Sequence, residues 1–106
     1  MDKKDPIAVR NHLQELLRDG MFVCPDQLLL DEFVTRPGKK IFYYLFDHRP
    51  ANTPFAPWLK GSQHYDEFQF TLGQPFRPEL ADLYPKPEQD LSKKVMTLWS
   101  NYVKTG

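Results

Sequence analysis

Residues Ile41-Phe42-Tyr43-Tyr44-Leu45-Phe46 form an unbroken apolar and aromatic run that opens after Lys40 and closes on Asp47. A run that is apolar on both faces suits an interior strand of a sheet covered on both sides. Such a strand constrains the rest of the chain. Its backbone N–H and C=O groups need neighbours, and a single strand cannot supply them. Two other short segments could help. Phe22-Val23-Cys24 is compatible with a strand, and Tyr65–Leu72 reads either as a strand, from the alternation of Phe68, Phe70 and Leu72, or as a two-turn helix. Either these pieces complete a small α+β domain, or the sheet partners lie in another chain or another part of the same protein.

The remaining elements are helices and stiff loops. Asp5 can cap a first helix with Pro6 at its first position, and Val9, Leu13, Leu16 and Leu17 share one face. Gly20 is expected to stop it. Pro25 is expected to start a second helix reaching about Thr35, before the Pro37-Gly38 turn. A last helix is expected from about Glu88 to Lys104, with Leu91, Val95, Leu98 and Tyr102 packed inward against a sheet. Of ten prolines in 106 residues, seven lie in the stretches His48–Gln63 and Gly73–Pro87. The loop His48–Gln63 is too long and aperiodic to be idle by default. Within it, Phe55 and Trp58 are either loop anchors or a binding wall.

Charge and motifs narrow the function. Lys+Arg and Asp+Glu are both 14, so the chain carries no net charge to draw it to nucleic acid or an anionic membrane. No apolar run spans a bilayer, and no secretory signal opens the sequence. The single cysteine excludes an internal disulfide. His12, His48 and His64 lack metal-ligand spacing, no phosphate-binding loop occurs, and no cofactor is implied. Ser62, Ser92 and Ser100 lack the Gly-x-Ser-x-Gly context of a nucleophile elbow. Asp47-His48-Arg49 reads as a structural ion-pair cluster at a strand end rather than a proton relay. His64 closes the long loop and precedes Asp66-Glu67. That is the place in chain order where an α/β-hydrolase carries its general base, although an exposed loop histidine beside acidic neighbours has the same appearance.

Several ordered motifs bear on that choice. Tyr44-Leu45-Phe46-Asp47-His48-Arg49, Trp58, His64-Tyr65-Asp66-Glu67 and Phe70-Thr71-Leu72-Gly73-Gln74-Pro75-Phe76 follow one another, with Val23-Cys24-Pro25 upstream and Trp99-Ser100-Asn101-Tyr102-Val103-Lys104-Thr105-Gly106 downstream. From about Asp19 onward the chain resembles the C-terminal part of the cholinesterase/carboxylesterase type B family. The resemblance implies an α/β class and the C-terminal portion of an α/β-hydrolase fold: a late sheet strand, the catalytic-histidine loop and the C-terminal helix. Residues 1–106 would form a partial domain, incomplete on its own and dependent on the rest of the hydrolase.

By the same resemblance, His64 is the triad histidine, Glu67 a structural carboxylate near it, and Trp58 part of the gorge wall. Cys24 matches a cysteine whose disulfide partner lies outside the chain. A carboxylic ester is the implied substrate. Serine nucleophile, acidic partner and oxyanion hole are implied elsewhere, so the chain alone is expected to be inactive. Family members are usually secreted or at the cell surface. Two departures stand out. Tyr65 replaces a glycine usual after the histidine, and Asp66 stands where cholinesterases tend to carry tyrosine, which favours general carboxylic esters over choline esters. Ala81-Asp82-Leu83-Tyr84-Pro85 and Val95-Met96-Thr97 are also reminiscent of neuroligins, non-catalytic relatives that act as adhesion partners.

Overall fold

The computed structural model describes residues 5–38 and 40–106. The chain divides into two units, one up to Tyr43 and one from Tyr44 to Gly106.

The first unit is helical. Helix α1 runs Pro6–Arg18, with the Asp5 carboxylate accepting from the backbone N–H groups of Ile7 (2.9 Å) and Ala8 (3.3 Å). Asp5 thus satisfies two of the donors that a helix start leaves unpaired. Gly20 does not stop the helix and does not take the left-handed conformation of a helix stop. The chain passes instead through a π-helical turn, Asp19–Val23, into helix α2, Cys24–Val34. Pro25 supplies the reason. It has no N–H, and in an unbroken α-helix its ring would meet the carbonyl of Met21. The wider turn, closed by the Cys24 N–H on the Asp19 carbonyl, makes room for the ring. The strand compatible with Phe22-Val23-Cys24 is therefore replaced by helix. No residue of α1 or α2 is buried.

Residues 40–50 carry no regular structure, and no strand occurs among the described residues. Of the apolar run expected as an interior strand, residues 41–45 stay open to solvent, from 36% exposure at Ile41 to 74% at Leu45, while Phe46 is half-buried. Extended backbone becomes a strand only beside a second one. Neither of the two short segments that could have served is extended.

The second unit is built on Phe70. Tyr65–Leu72 resolves as a short helix, α3, Phe68–Thr71, whose Phe70 is fully buried. Around Phe70 stand the rings of Phe46 (centroids 5.3 Å), His48 (5.6 Å) and Tyr84 (6.2 Å). Gly73 turns the chain with φ 68° into a 3₁₀ turn, Gln74–Phe76, and a second 3₁₀ turn spans Ala81–Leu83. Helix α4, Lys86–Thr105, starts two residues before the expected point because Pro87 fits its first turn. Its first half packs inward: Glu88, Ser92 and Val95 are buried. Its second half does not. Leu98 (66% exposed) and Tyr102 (49%) remain uncovered, although the sequence places both on the inner face. Trp99 meets Tyr44 edge-on at 6.1 Å, and its indole N–H donates to the Tyr44 hydroxyl at 3.3 Å.

Candidate functional site: the His64 turn and its supports

The loop leading to His64 is held by hydrogen bonds to its own backbone. Arg49 acts as a central clamp. Its guanidinium donates to the carbonyls of Leu59 (2.5 Å), Phe55 (3.0 Å) and Ala56 (3.2 Å). Five donors in a rigid plane allow one arginine to serve three acceptors. The loop start is fastened separately. Glu88 Oε1 accepts from the Ala51 N–H at 2.7 Å and lies 2.8 Å from His48 Nε2. Glu88 is 3% exposed; His48 and Ala51 both meet its Oε1, while its buried Oε2 has no hydrogen-bond partner among the described residues. Asp47-His48-Arg49 is thus a structural cluster. His48 pairs with Glu88 and Arg49 with loop carbonyls, rather than with one another or with Asp47. Nothing in the sequence marks Glu88 for this role, because 40 positions separate it from His48.

Past Leu59 the chain tightens into a turn. The Gln63 side chain donates to the Lys60 carbonyl at 2.9 Å. Asp66, 3% exposed, accepts from the Gln63 N–H at 2.6 Å, and its own N–H donates to the Gln63 carbonyl at 3.0 Å. His64 is presented on the outside of this doubly closed turn and is exposed. Glu67 follows at the end of the same turn and caps α3, its carbonyl accepting from the Phe70 and Thr71 N–H groups.

Tyr65 is the one non-glycine residue with positive φ among the described residues, at 73°. The sequence carries a trace of this, since the position is usually glycine in the family it resembles, and glycine takes a left-handed backbone without steric cost. The Tyr65 ring lies 4.1 Å from the imidazole of His64, tilted by 50°, and meets Phe68 edge-on at 6.1 Å.

The other site residues named from the sequence lie apart in the chain. Trp58, in the arc clamped by Arg49, is 51% exposed. Cys24 is a free, exposed thiol at the start of α2, in the first unit. Among the described residues no group of three His, Cys, Asp or Glu side chains gathers as a metal site would require. No helix of the described residues is long and apolar enough to cross a membrane.

The turn and its clamps present one imidazole at the end of a fixed loop, which can exchange a proton with a group brought to it. Comparison with known proteins gives that imidazole a context. The family model described as "Carboxylesterase family" matches residues 1–106. Acetylcholinesterase of Gallus gallus is 32% identical over 106 residues, which is 100% of this chain and 13% of that protein. Acetylcholinesterase of Bungarus fasciatus is 33% identical over 97 residues, 92% of this chain and 15% of the relative. Acetylcholinesterase-1 of Trittame loki is 31% identical over 105 residues, 99% and 18% respectively. The chain therefore spans less than a fifth of the length of these curated relatives. No solved structure gives a significant match.

Proposed function

Because the chain belongs to the carboxylesterase family, we propose that it is the late segment of a longer serine hydrolase acting on carboxylic esters, and that it supplies the catalytic histidine, His64. The observation that carries this reading is the presentation of His64 on a turn closed by Asp66 and reached through a loop clamped by Arg49. A general base has to be held where the reacting group arrives, and an exposed imidazole on a fixed turn meets that need.

In this reading a serine from the preceding part of the protein attacks the ester carbonyl. His64 takes the serine proton and returns it to the departing alcohol. An upstream carboxylate orients the imidazole, and water then releases the acid by the same route. Glu67 stabilises the turn that bears the base, and Trp58 lines the approach. Residues 41–46 become an interior strand once neighbouring strands cover them, which gives their exposed backbone groups partners. The exposed Cys24 is available for a disulfide with a cysteine elsewhere in the longer protein. Secretion or display at the cell surface fits the family.

The test is a fluorophosphonate probe applied to the longer polypeptide that contains this segment. The expected result is labelling of one serine, lost in His64→Ala. Labelling that survives His64→Ala, or an absence of labelled serine, overturns the reading. The absence of a reactive serine would favour the adhesion role that neuroligin-like members fill.

A further inference from the structure

Consecutive side chains normally diverge. They point to opposite faces of a strand, and they stand about 100° apart around a helix. His64 and Tyr65 do not diverge: their ring centroids are 4.1 Å apart. The backbone explains how. Tyr65 adopts φ 73°, the left-handed conformation that side chains other than glycine seldom take. Residues held in such conformations persist only where their surroundings over-determine them, and they cluster at functional sites.

Hydrogen bonds hold the backbone on both sides of Tyr65, while the residue itself is 65% exposed. The Asp66 carboxylate and N–H close the turn on Gln63 from both sides. The Tyr65 carbonyl accepts the Phe68 N–H at 3.1 Å. The Phe68 ring, on the first residue of α3, meets the Tyr65 ring edge-on at 6.1 Å and 86°. An aromatic chain thus runs from α3 through Tyr65 to the imidazole.

We propose that Tyr65 is a positioning residue for His64: its ring packs against the imidazole at a tilt of 50° and restricts its rotation. The part this gives Tyr65 in catalysis rests on the reading of His64 as the base. Under that reading the tyrosine fixes the direction in which the base offers its nitrogen. Glycine at this position would impose no such restriction.

The test is NMR of the longer polypeptide that contains this segment, with its histidines isotope-labelled and His64→Ala used to assign the His64 signals, comparing wild type with Tyr65→Phe and Tyr65→Gly. Glycine accepts the left-handed backbone, so Tyr65→Gly keeps the turn while removing the ring. The expected result is that the His64 ring protons of wild type lie away from their random-coil positions, with a single side-chain rotamer. Tyr65→Phe should keep both signatures, since it keeps the ring. Tyr65→Gly should lose both. His64 signals already at random-coil positions in wild type, or unchanged in Tyr65→Gly, overturn the proposal. Ester turnover plays no part in this readout. A parent enzyme whose activity survives His64→Ala would sink the catalytic reading and leave the ring contact standing. Loss of the ring contact would leave the catalytic reading untouched.

Discussion

His48 Nε2 and Glu88 Oε1 stand 2.8 Å apart although 40 positions separate them in the chain. The same carboxylate oxygen also receives the Ala51 N–H. One side chain of α4 thereby fastens the start of the loop that ends at His64. Glu88→Ala removes the acceptor from both donors and is expected to lower the local stability of the second unit by about 1–3 kcal/mol. Amide hydrogen exchange across α3 and α4 reads this directly. A double-mutant cycle with His48→Ala should return a coupling of roughly 1 kcal/mol; additive losses would show that the two side chains act independently.

A second link joins α3 to α4. Ser92 is fully buried, and its hydroxyl donates to the Phe70 carbonyl at 2.7 Å. Ser92→Ala leaves that carbonyl without this donor, away from water. The expected loss is about 1–2 kcal/mol, seen as faster exchange of the amides in both helices. The Gly73 N–H, at 3.3 Å, remains as a second donor to that carbonyl, and unchanged protection would mean that it suffices alone.

Gly73 joins α3 to the following turn with φ 68°, and a Cβ there would lie 2.9 Å from the Met96 sulfur. Gly73→Ala is expected to destabilise the turn by about 1–2 kcal/mol, mainly from the left-handed backbone. Met96 is flexible enough to relieve part of the steric contact. Pairing the variant with Met96→Ala should recover only the steric share, and full recovery would argue against backbone strain.

The hydrogen bond from Lys86 holds the Asp90 carboxyl below its ordinary value of 3.8, with smaller help from the charges of Lys86, Lys93 and Lys94. A carboxyl lowered in the folded state adds stability above its unfolded value and loses it as the pH falls through the folded one. Carbon-13 NMR titration should therefore place the Asp90 midpoint below 3.8. Lys86→Met should return it upward, and a midpoint unmoved by that substitution would contradict the assignment.

Much of the helical structure was legible in the sequence. Asp5-Pro6 announced α1, Pro25 announced α2, and the spacing Leu91, Val95, Leu98, Tyr102 announced α4. The inner face of α4 was only half right, because burial needs an opposing surface as well as a periodic stripe. Gly20 misled for a local reason: the ring of Pro25 was better accommodated by widening the helix than by ending it. The run 41–46 misled for a non-local one, since an apolar hexapeptide states a preference that only a neighbouring strand can satisfy. Place in the long loop drew attention to His64 and Trp58, but only the ordered motifs assigned roles to them and to Glu67 and Cys24. Residue type and spacing by themselves fit an ordinary surface histidine equally well.

By itself, the sequence determined the caps, the proline-started helices and membership of the carboxylesterase family. These are written in short segments whose residues act on near neighbours or match an ordered pattern. Only the tertiary structure decided that Glu88 serves His48 and Ala51, that Arg49 gathers three carbonyls, and that Tyr65 turns left-handed to lie against His64. The first joins residues 37 and 40 positions apart, the second depends on the path of one aperiodic loop, and the third is a backbone state that tyrosine disfavours when left to itself, so each depends on contacts that exist only after the chain has folded.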